Sequence, residues 1–280
     1  MVMVDETIRK AVEGSKNFVK QEAGDYIKDG LLYCGKCKTP KQIRIEVAGV
    51  TIEPYTPCVC QKERQDAAEA EALQLEFAER VRKNRRECFP EGQLGTWTFE
   101  NDDGSNAKFT NAMKRYVANF DDFRKQGKGV LLHGQTGHGK TYLAACVANA
   151  IIDKGHKAIF TSLSRMTATM EGKWGGREEY INLLSRVPLV VLDDFGTERD
   201  TKYMQEIVYD VINARYTAGL PLIVTTNLTL EQLARPESVA EQRIYGRLLE
   251  MCYPIEVKGR NKRQDKMMDT YAPMRDILGV

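Results

Sequence analysis

The chain alternates short, wholly apolar runs with longer segments whose apolar residues recur every three or four positions. The runs Gly129-Val-Leu-Leu-His133, Lys157 to Ser162, Leu189-Val-Val-Leu192 and Pro221 to Thr226 have strand length and are bounded by Gly, Pro or polar residues. Between them, Leu143, Ala144, Val147, Ala148 and Ile151 share one helical face that ends at Gly155. Met204, Ile207, Val208, Val211 and Ile212 form a second core-facing stripe. Thr229-x-x-Gln232 and Ser238-x-x-Glu241 read as capping boxes that open two further helices. Buried strands alternating with helices predict an α/β fold, a parallel sheet wrapped by helices.

Upstream the pattern changes. From Gln61 to about Glu87 the sequence is rich in Ala, Glu and Arg and lacks Gly and Pro, which predicts a solvated helix with a thin stripe of Leu73, Phe77 and Val81. A spacer and a partner-binding helix both fit it. Phe89-Pro90-Glu-Gly92 closes the helix, and a second unit starts near Leu94. Earlier still, Gln42 to Val47 and Val50 to Glu53 alternate apolar and polar residues in strand fashion. The expected organisation is an N-terminal region over 1–60, a linker helix over 61–92 and an α/β domain over 93–280. Internal repeats and low-complexity tracts are absent.

Composition narrows the class. With 280 residues, 42% hydrophobic and 29% charged, the sequence describes a soluble globular protein, and no apolar run approaches bilayer length. The start, Met1-Val-Met-Val-Asp-Glu6, lacks the basic and apolar regions of a signal peptide, so the expected compartment is the cytoplasm. A net charge of +2 leaves any nucleic-acid contact to a local patch. Four of seven cysteines crowd together as Cys34-Gly-Lys-Cys37 and Cys58-Val-Cys60. Reduced thiols at this spacing suit a tetrahedral Zn²⁺ that organises a segment too small for its own core, as in a zinc ribbon. Unrelated thiols or a redox pair are the alternative, and the second pair is C-x-C and not C-x-x-C. Cys88, Cys146 and Cys252 read as packing residues.

Two motifs carry the chemistry. Gly134-Gln135-Thr136-Gly137-His138-Gly139-Lys140-Thr141 is a complete G-x-x-x-x-G-K-T loop between a strand and a helix. In such a loop backbone N–H groups cradle phosphates, Lys140 reaches the β/γ-phosphates, and Thr141 places a hydroxyl on Mg²⁺. The second motif is Asp193-Asp194 at the end of the strand Leu189 to Leu192, the Walker B arrangement. Asp193 is assigned to the metal and Asp194 to the attacking water. Asn227, after the next strand, would lie beside these acids and orient the water, or make a turn. Arg243 and Arg247, one helical turn apart, and the cluster Gly259-Arg-Asn-Lys-Arg263 could stabilise charge developing on a γ-phosphate.

Taken together, residues from about Phe99 to Arg263 resemble the DnaC/DnaI family of bacterial and phage helicase loaders, with the IstB transposition ATPases as close cousins, all AAA+ proteins. The resemblance rests on Tyr116 to Phe120, the phosphate loop, Leu192-Asp-Asp-Phe-Gly-Thr-Glu-Arg199, Ala214-Arg-Tyr216, Thr225-Thr-Asn-Leu228, Arg243-Ile-Tyr-Gly-Arg247-Leu and Gly259-x-Asn-x-Arg263. It implies an AAA+ P-loop core that binds ATP or ADP with Mg²⁺ and follows a zinc-ribbon-like N-terminal domain and linker helix. Asn227 looks like sensor 1, Arg247 like the trans-acting arginine finger with Arg243 as companion, and Arg263 like sensor 2. Thr201-Lys202-Tyr203 falls where loaders contact single-stranded DNA, a tyrosine there being able to stack on a base. The stretch Ser164 to Arg186, with Lys173, Trp174 and Arg177, lies where related initiators insert a helix facing DNA. The implied function is ATP-dependent loading of a replicative hexameric helicase onto single-stranded DNA, with self-association through the ATPase domain and the N-terminal unit gripping the helicase. An IstB-like ATPase assisting a transposase is the alternative. A small-molecule kinase would leave Arg247 and Asn227 unexplained. Two departures stand out: Asp194 is one methylene shorter than the Glu of many AAA+ enzymes, although DnaI-like members share an Asp-Asp, and Gly246 replaces the family's Asp.

Overall fold

The computed structural model describes residues 21–47, 49–90, 92–171, 176–196, 202–264, 267, 271, 274 and 277–279. The chain divides into two units, 1–77 and 78–280. In the first, two antiparallel hairpins follow one another: β1 (Tyr26–Lys28) with β2 (Leu31–Tyr33), and β3 (Ile45–Val47) with β4 (Val50–Ile52). The second hairpin occupies the alternating stretch read from the sequence. Gln42 lies outside it, with its side chain accepting from the Leu32 N–H at 2.8 Å and donating to the Glu53 carbonyl at 3.3 Å.

Helix α1 (Val59–Cys88) begins two residues before the expected linker helix and ends just ahead of Phe89-Pro90. Arg85 and Arg86 in its last turn complement the helix dipole. That end belongs to the second unit. Asn84 donates to the His156 carbonyl at 3.3 Å, Arg85 Nε donates to Asn149 Oδ1 at 3.2 Å, and Arg85 also pairs with Asp153.

The second unit is built on five parallel strands, β5 (Gly129–His133), β6 (Ala158–Ser162), β7 (Leu189–Phe195), β8 (Leu222–Thr226) and β9 (Cys252–Glu256). Their order across the sheet is β6-β7-β8-β5-β9. Successive residues serve opposite faces, as strand geometry requires. Val130, Leu132 and Val191 pack against α2 (Ala107–Ala118), α3 (Phe120–Lys125) and α4 (Lys140–Asp153). Leu131, Val190 and Val224 pack against α5 (Leu163–Glu171), α6 (Gly176–Leu184), α7 (Lys202–Ala218) and α9 (Val239–Met251), with the short α8 (Leu230–Ala234) between β8 and α9. Thr229 and Gln232 form the expected reciprocal box at α8. At α9 the Ser238 hydroxyl accepts from the Glu241 N–H, but the Glu241 carboxylate reaches one residue further upstream, to the Glu237 N–H at 2.7 Å.

The strand β9 was not predicted. Cys252-Tyr-Pro-Ile-Glu256 carries a proline that argues against a central strand, and its edge position, with Tyr253 73% exposed, is what tolerates it. Arg215 in α7 is wholly buried among backbone carbonyls. It donates to Leu184 at 2.9 Å, to Val187 at 2.5 Å and to Pro221, tying α6, the entry to β7 and the entry to β8 together. Burial lowers its pKa to about 10.

Candidate functional site

The strand order positions the site. Because β8 lies between β5 and β7, Asn227 just beyond β8 falls between the phosphate loop after β5 and the acids of β7. The loop turns directly into α4, whose N-cap, Gly139, is left-handed at φ 88° and has no side chain to occupy the free N–H groups of the first turn. Gly137 also has positive φ, and a Cβ there would fall 1.9 Å from the Asn261 side chain, so any other residue would be strained and would push that side chain aside. Lys262 N–H donates to the Gly137 carbonyl at 3.0 Å and closes the same contact.

Lys140 is 5% exposed and spends its ammonium on three acceptors: the carbonyls of Gly134 at 2.7 Å and Gln135 at 2.9 Å, and Asn227 Oδ1 at 2.8 Å. Thr136 Oγ1 also donates to Asn227, at 3.3 Å. Burial pulls the Lys140 pKa down, with Asp194 opposing the shift. Asp193 accepts from Thr225 Oγ1 at 2.6 Å and is hydrogen-bonded to the Thr141 side chain. Burial raises its pKa, with the Thr225 hydroxyl opposing the shift. Asp194 stands outward at an irregularity in the β7–β8 register between Leu192 and Phe195. Its φ is 54°, and its N–H donates to Thr225 Oγ1 at 2.9 Å.

A cavity of about 690 Å³ gathers Thr136, Gly137, Gly139, Lys140, Thr141, Asp194, Asn227 and Arg263. His138 lies behind it, with Nδ1 3.2 Å from the Val257 carbonyl. Arg243 and Arg247 do not line this cavity. Arg243 is exposed on α9, while Arg247 is stacked on Tyr209 of α7. Tyr203 is 45% exposed near the start of α7, Lys202 is the first residue of that helix, and Thr201 lies outside the described residues, as do Lys173 and Trp174. Arg177 pairs with Asp210 at 2.5 Å.

One wall of the cavity was not read from the sequence: Trp97, Asn101, Asp103 and Tyr142, which Lys262 of the basic cluster joins. The rings of Trp97 and Tyr142 lie 5.7 Å apart, and Lys262 Nζ sits 5.5 Å from the Tyr142 ring centre and 2.9 Å from Asp103. The turn bearing Trp97 is pinned by Asn149, which donates to the carbonyls of Leu94 at 2.9 Å and Trp97 at 3.0 Å. Thr225 was missed as well. Its hydroxyl organises both acids, and the polar pair Thr225-Thr226 inside a buried strand is the signal that could have found it.

In the first unit the Sγ atoms of Cys34, Cys37, Cys58 and Cys60 all lie within 4.8 Å of one another. Cys60 is 3.6 Å from Cys34 and 3.5 Å from Cys58, near the edge of about 3.8 Å for a tetrahedron with 2.3 Å metal–sulfur bonds. Thr39 holds Cys37 down at about 5, whereas neighbouring thiols push Cys60 up to about 12. Four thiolates this close require a cation to ionise together. The turn between Cys34 and Cys37 is braced from outside the cluster. Asp25 accepts the Gly35 N–H at 3.0 Å and pairs with buried Lys41 at 2.6 Å, which holds the Asp25 carboxyl down at about 2. A Cβ on Gly35 would meet the Gly24 carbonyl at 1.9 Å.

A family model described as IstB-like ATP binding protein matches residues 92–269. The chain belongs to this family. It is 31% identical over 211 residues to a Mycobacterium tuberculosis protein named as ATP-binding in an insertion sequence, covering 72% of this chain and 80% of that one. It is 27% identical over 150 residues to the replicative helicase loader DnaI of Bacillus subtilis, covering 49% of this chain and 48% of the loader. The chain thus matches about half the length of that loader. A crystal structure of DnaI aligns with TM-score 0.51 at 27% identity, over 61% of this chain and 93% of that one. As an IstB-like protein the chain is an ATP-binding AAA+ ATPase with a five-stranded parallel sheet. Among the described residues no helix is long and apolar enough to cross a membrane.

Proposed function

We propose that this IstB-like ATPase places a replicative DNA helicase on single-stranded DNA. The observation that carries the reading is the compact four-cysteine module and long helix α1 preceding an ATPase unit that resembles DnaI. In it the module grips the helicase, the ATPase units associate with one another, and Tyr203 with Thr201 and Lys202 contacts DNA. A second reading, an ATPase assisting a transposase, is favoured by the longer match to the insertion-sequence protein. Co-purification of the full chain with candidate replicative helicases and with a transposase, in ATP and in ADP, tests the two. Retention of helicase is the expected result, and retention of transposase alone would replace the first reading by the second.

In the ATPase cycle the loop N–H groups and Lys140 bind the β- and γ-phosphates, and Trp97 and Tyr142 offer ring faces to the base. The pair Thr141 and Asp193 suits Mg²⁺, which when bound neutralises charge on the phosphates. Asp194 accepts a proton from a water that Asn227 orients. The water oxygen bonds the γ-phosphorus as the bond to the β–γ bridging oxygen breaks, giving ADP and phosphate. Arg263 from the same chain, and Arg247 with Arg243 from an adjacent copy, stabilise the charge on the γ-phosphoryl group. Hydrolysis then releases the DNA-gripping assembly.

Cys34, Cys37, Cys58 and Cys60 would hold Zn²⁺, which fixes the fold of the module. Purified reduced protein is expected to contain about one zinc per chain by elemental analysis, and Cys34→Ser with Cys58→Ser is expected to abolish it. A ratio near zero in the unaltered protein would remove zinc from the picture.

A further inference from the structure

Arg247 is half-buried on α9, its guanidinium carbon 4.7 Å from the centre of the Tyr209 ring and 5.7 Å from that of Tyr216, both on α7. Its Nη1 is buried with no hydrogen-bond partner among the described residues. Two acids of α7 face Arg177 of α6: Asp210 lies 2.5 Å from its Nη2, and Glu206 3.9 Å from its Nη1. Tyr216 is hydrogen-bonded to Glu250 of α9, which fixes the second ring beside the first. The charge of Arg247 is therefore held against ring faces.

That distinction has chemical weight. A carboxylate partner would neutralise the guanidinium and use two of its donors. A ring face fixes its plane without neutralising its charge or taking up its N–H donors. A buried charged N–H without a partner is unfavourable in the isolated chain, and an arriving anion relieves it.

We propose that Tyr209 is a positioning residue whose ring presents Arg247 to the γ-phosphate of ATP bound by an adjacent copy of the chain. The inference rests on Arg247 acting in trans, and the test separates the two ideas. A receiver chain, Arg247→Ala, retains its ATP site but lacks the arginine. A carrier chain, Lys140→Ala, lacks the ATP site but retains the arginine. Each alone is expected to be inactive, and mixing them to restore turnover.

A carrier that also holds Tyr209→Leu, or Tyr209→Met, is expected to restore about tenfold less kcat with KM unchanged, the size of a lost cation–π contact. A carrier with Tyr209→Phe, which keeps the ring, is expected to restore as much as the parent carrier. The turning-over site belongs to a receiver with Tyr209 intact, so damage to ATP binding cannot imitate this result, and carriers are compared at equal thermal midpoints. Equal restoration by the Leu, Met and Phe carriers overturns the platform while leaving the trans arginine standing. Failure of the Lys140→Ala carrier to restore turnover removes the trans arginine itself and the platform with it.

Discussion

Lys140→Ala is expected to reduce ATP affinity at least about a hundredfold, since charge-assisted hydrogen bonds contribute about 1.5–3 kcal/mol each and this ammonium would make them to two phosphates. The structure adds a second loss. The ammonium is already saturated by the carbonyls of Gly134 and Gln135 and by Asn227. It draws the loop and Asn227 together before any nucleotide arrives. Removing it leaves the carbonyls of Gly134 and Gln135 unmatched at the floor of the cavity and leaves Asn227 only its bond from Thr136, so the loop loses its shape as well as its charge. Titration with a fluorescent ATP analogue checks this, and an affinity within twofold of the unaltered chain would mean that the phosphates bind elsewhere.

Arg215→Ala is expected to destabilise the ATPase unit by about 3–5 kcal/mol, combining a buried cavity with carbonyls stripped of a charged donor. Those carbonyls belong to Leu184, Val187 and Pro221, so the loss falls on the entries to β7 and β8, the two strands that deliver Asp193, Asp194 and Asn227. Arg215→Lys is expected to recover only part of the loss, because an ammonium cannot span all three acceptors. Both tryptophans, Trp97 and Trp174, lie in this unit, so denaturant unfolding followed by their fluorescence reports on it. A midpoint unchanged in the alanine variant would show that water replaces the guanidinium at no cost.

The phosphate loop, the Walker B strand and Asn227 were legible because each is local: a few residues whose order alone dictates strand, turn and helix. The alternating stretch before the second cysteine pair was legible for the same reason, and the cysteines assemble as their spacing implied. What escaped the sequence depends on packing between distant segments. Trp97 reaches the cavity because Asn149, buried in α4, holds the turn between Leu94 and Trp97 by its carbonyls. Lys262 reaches it through a backbone bond to Gly137. Neither contact leaves a periodicity. Strand β9 was hidden by Pro254, a residue that only an edge position forgives. Arg247 was singled out by its motif, but its stacking was hidden, because nothing in its own helix reveals the two tyrosines of α7 against which it lies.

The left-handed backbone at Asp194 bears on the choice of acid there. Asp and Asn are the non-glycine residues that enter this region most readily, since a short polar side chain can bond locally. The Glu used by many AAA+ enzymes would meet this conformation at greater cost. The irregularity between Leu192 and Phe195 turns the Asp194 carboxylate out toward the cavity. A bend in the strand, and not side-chain length, sets where this carboxylate stands, and a short acid has fewer rotamers to lose there.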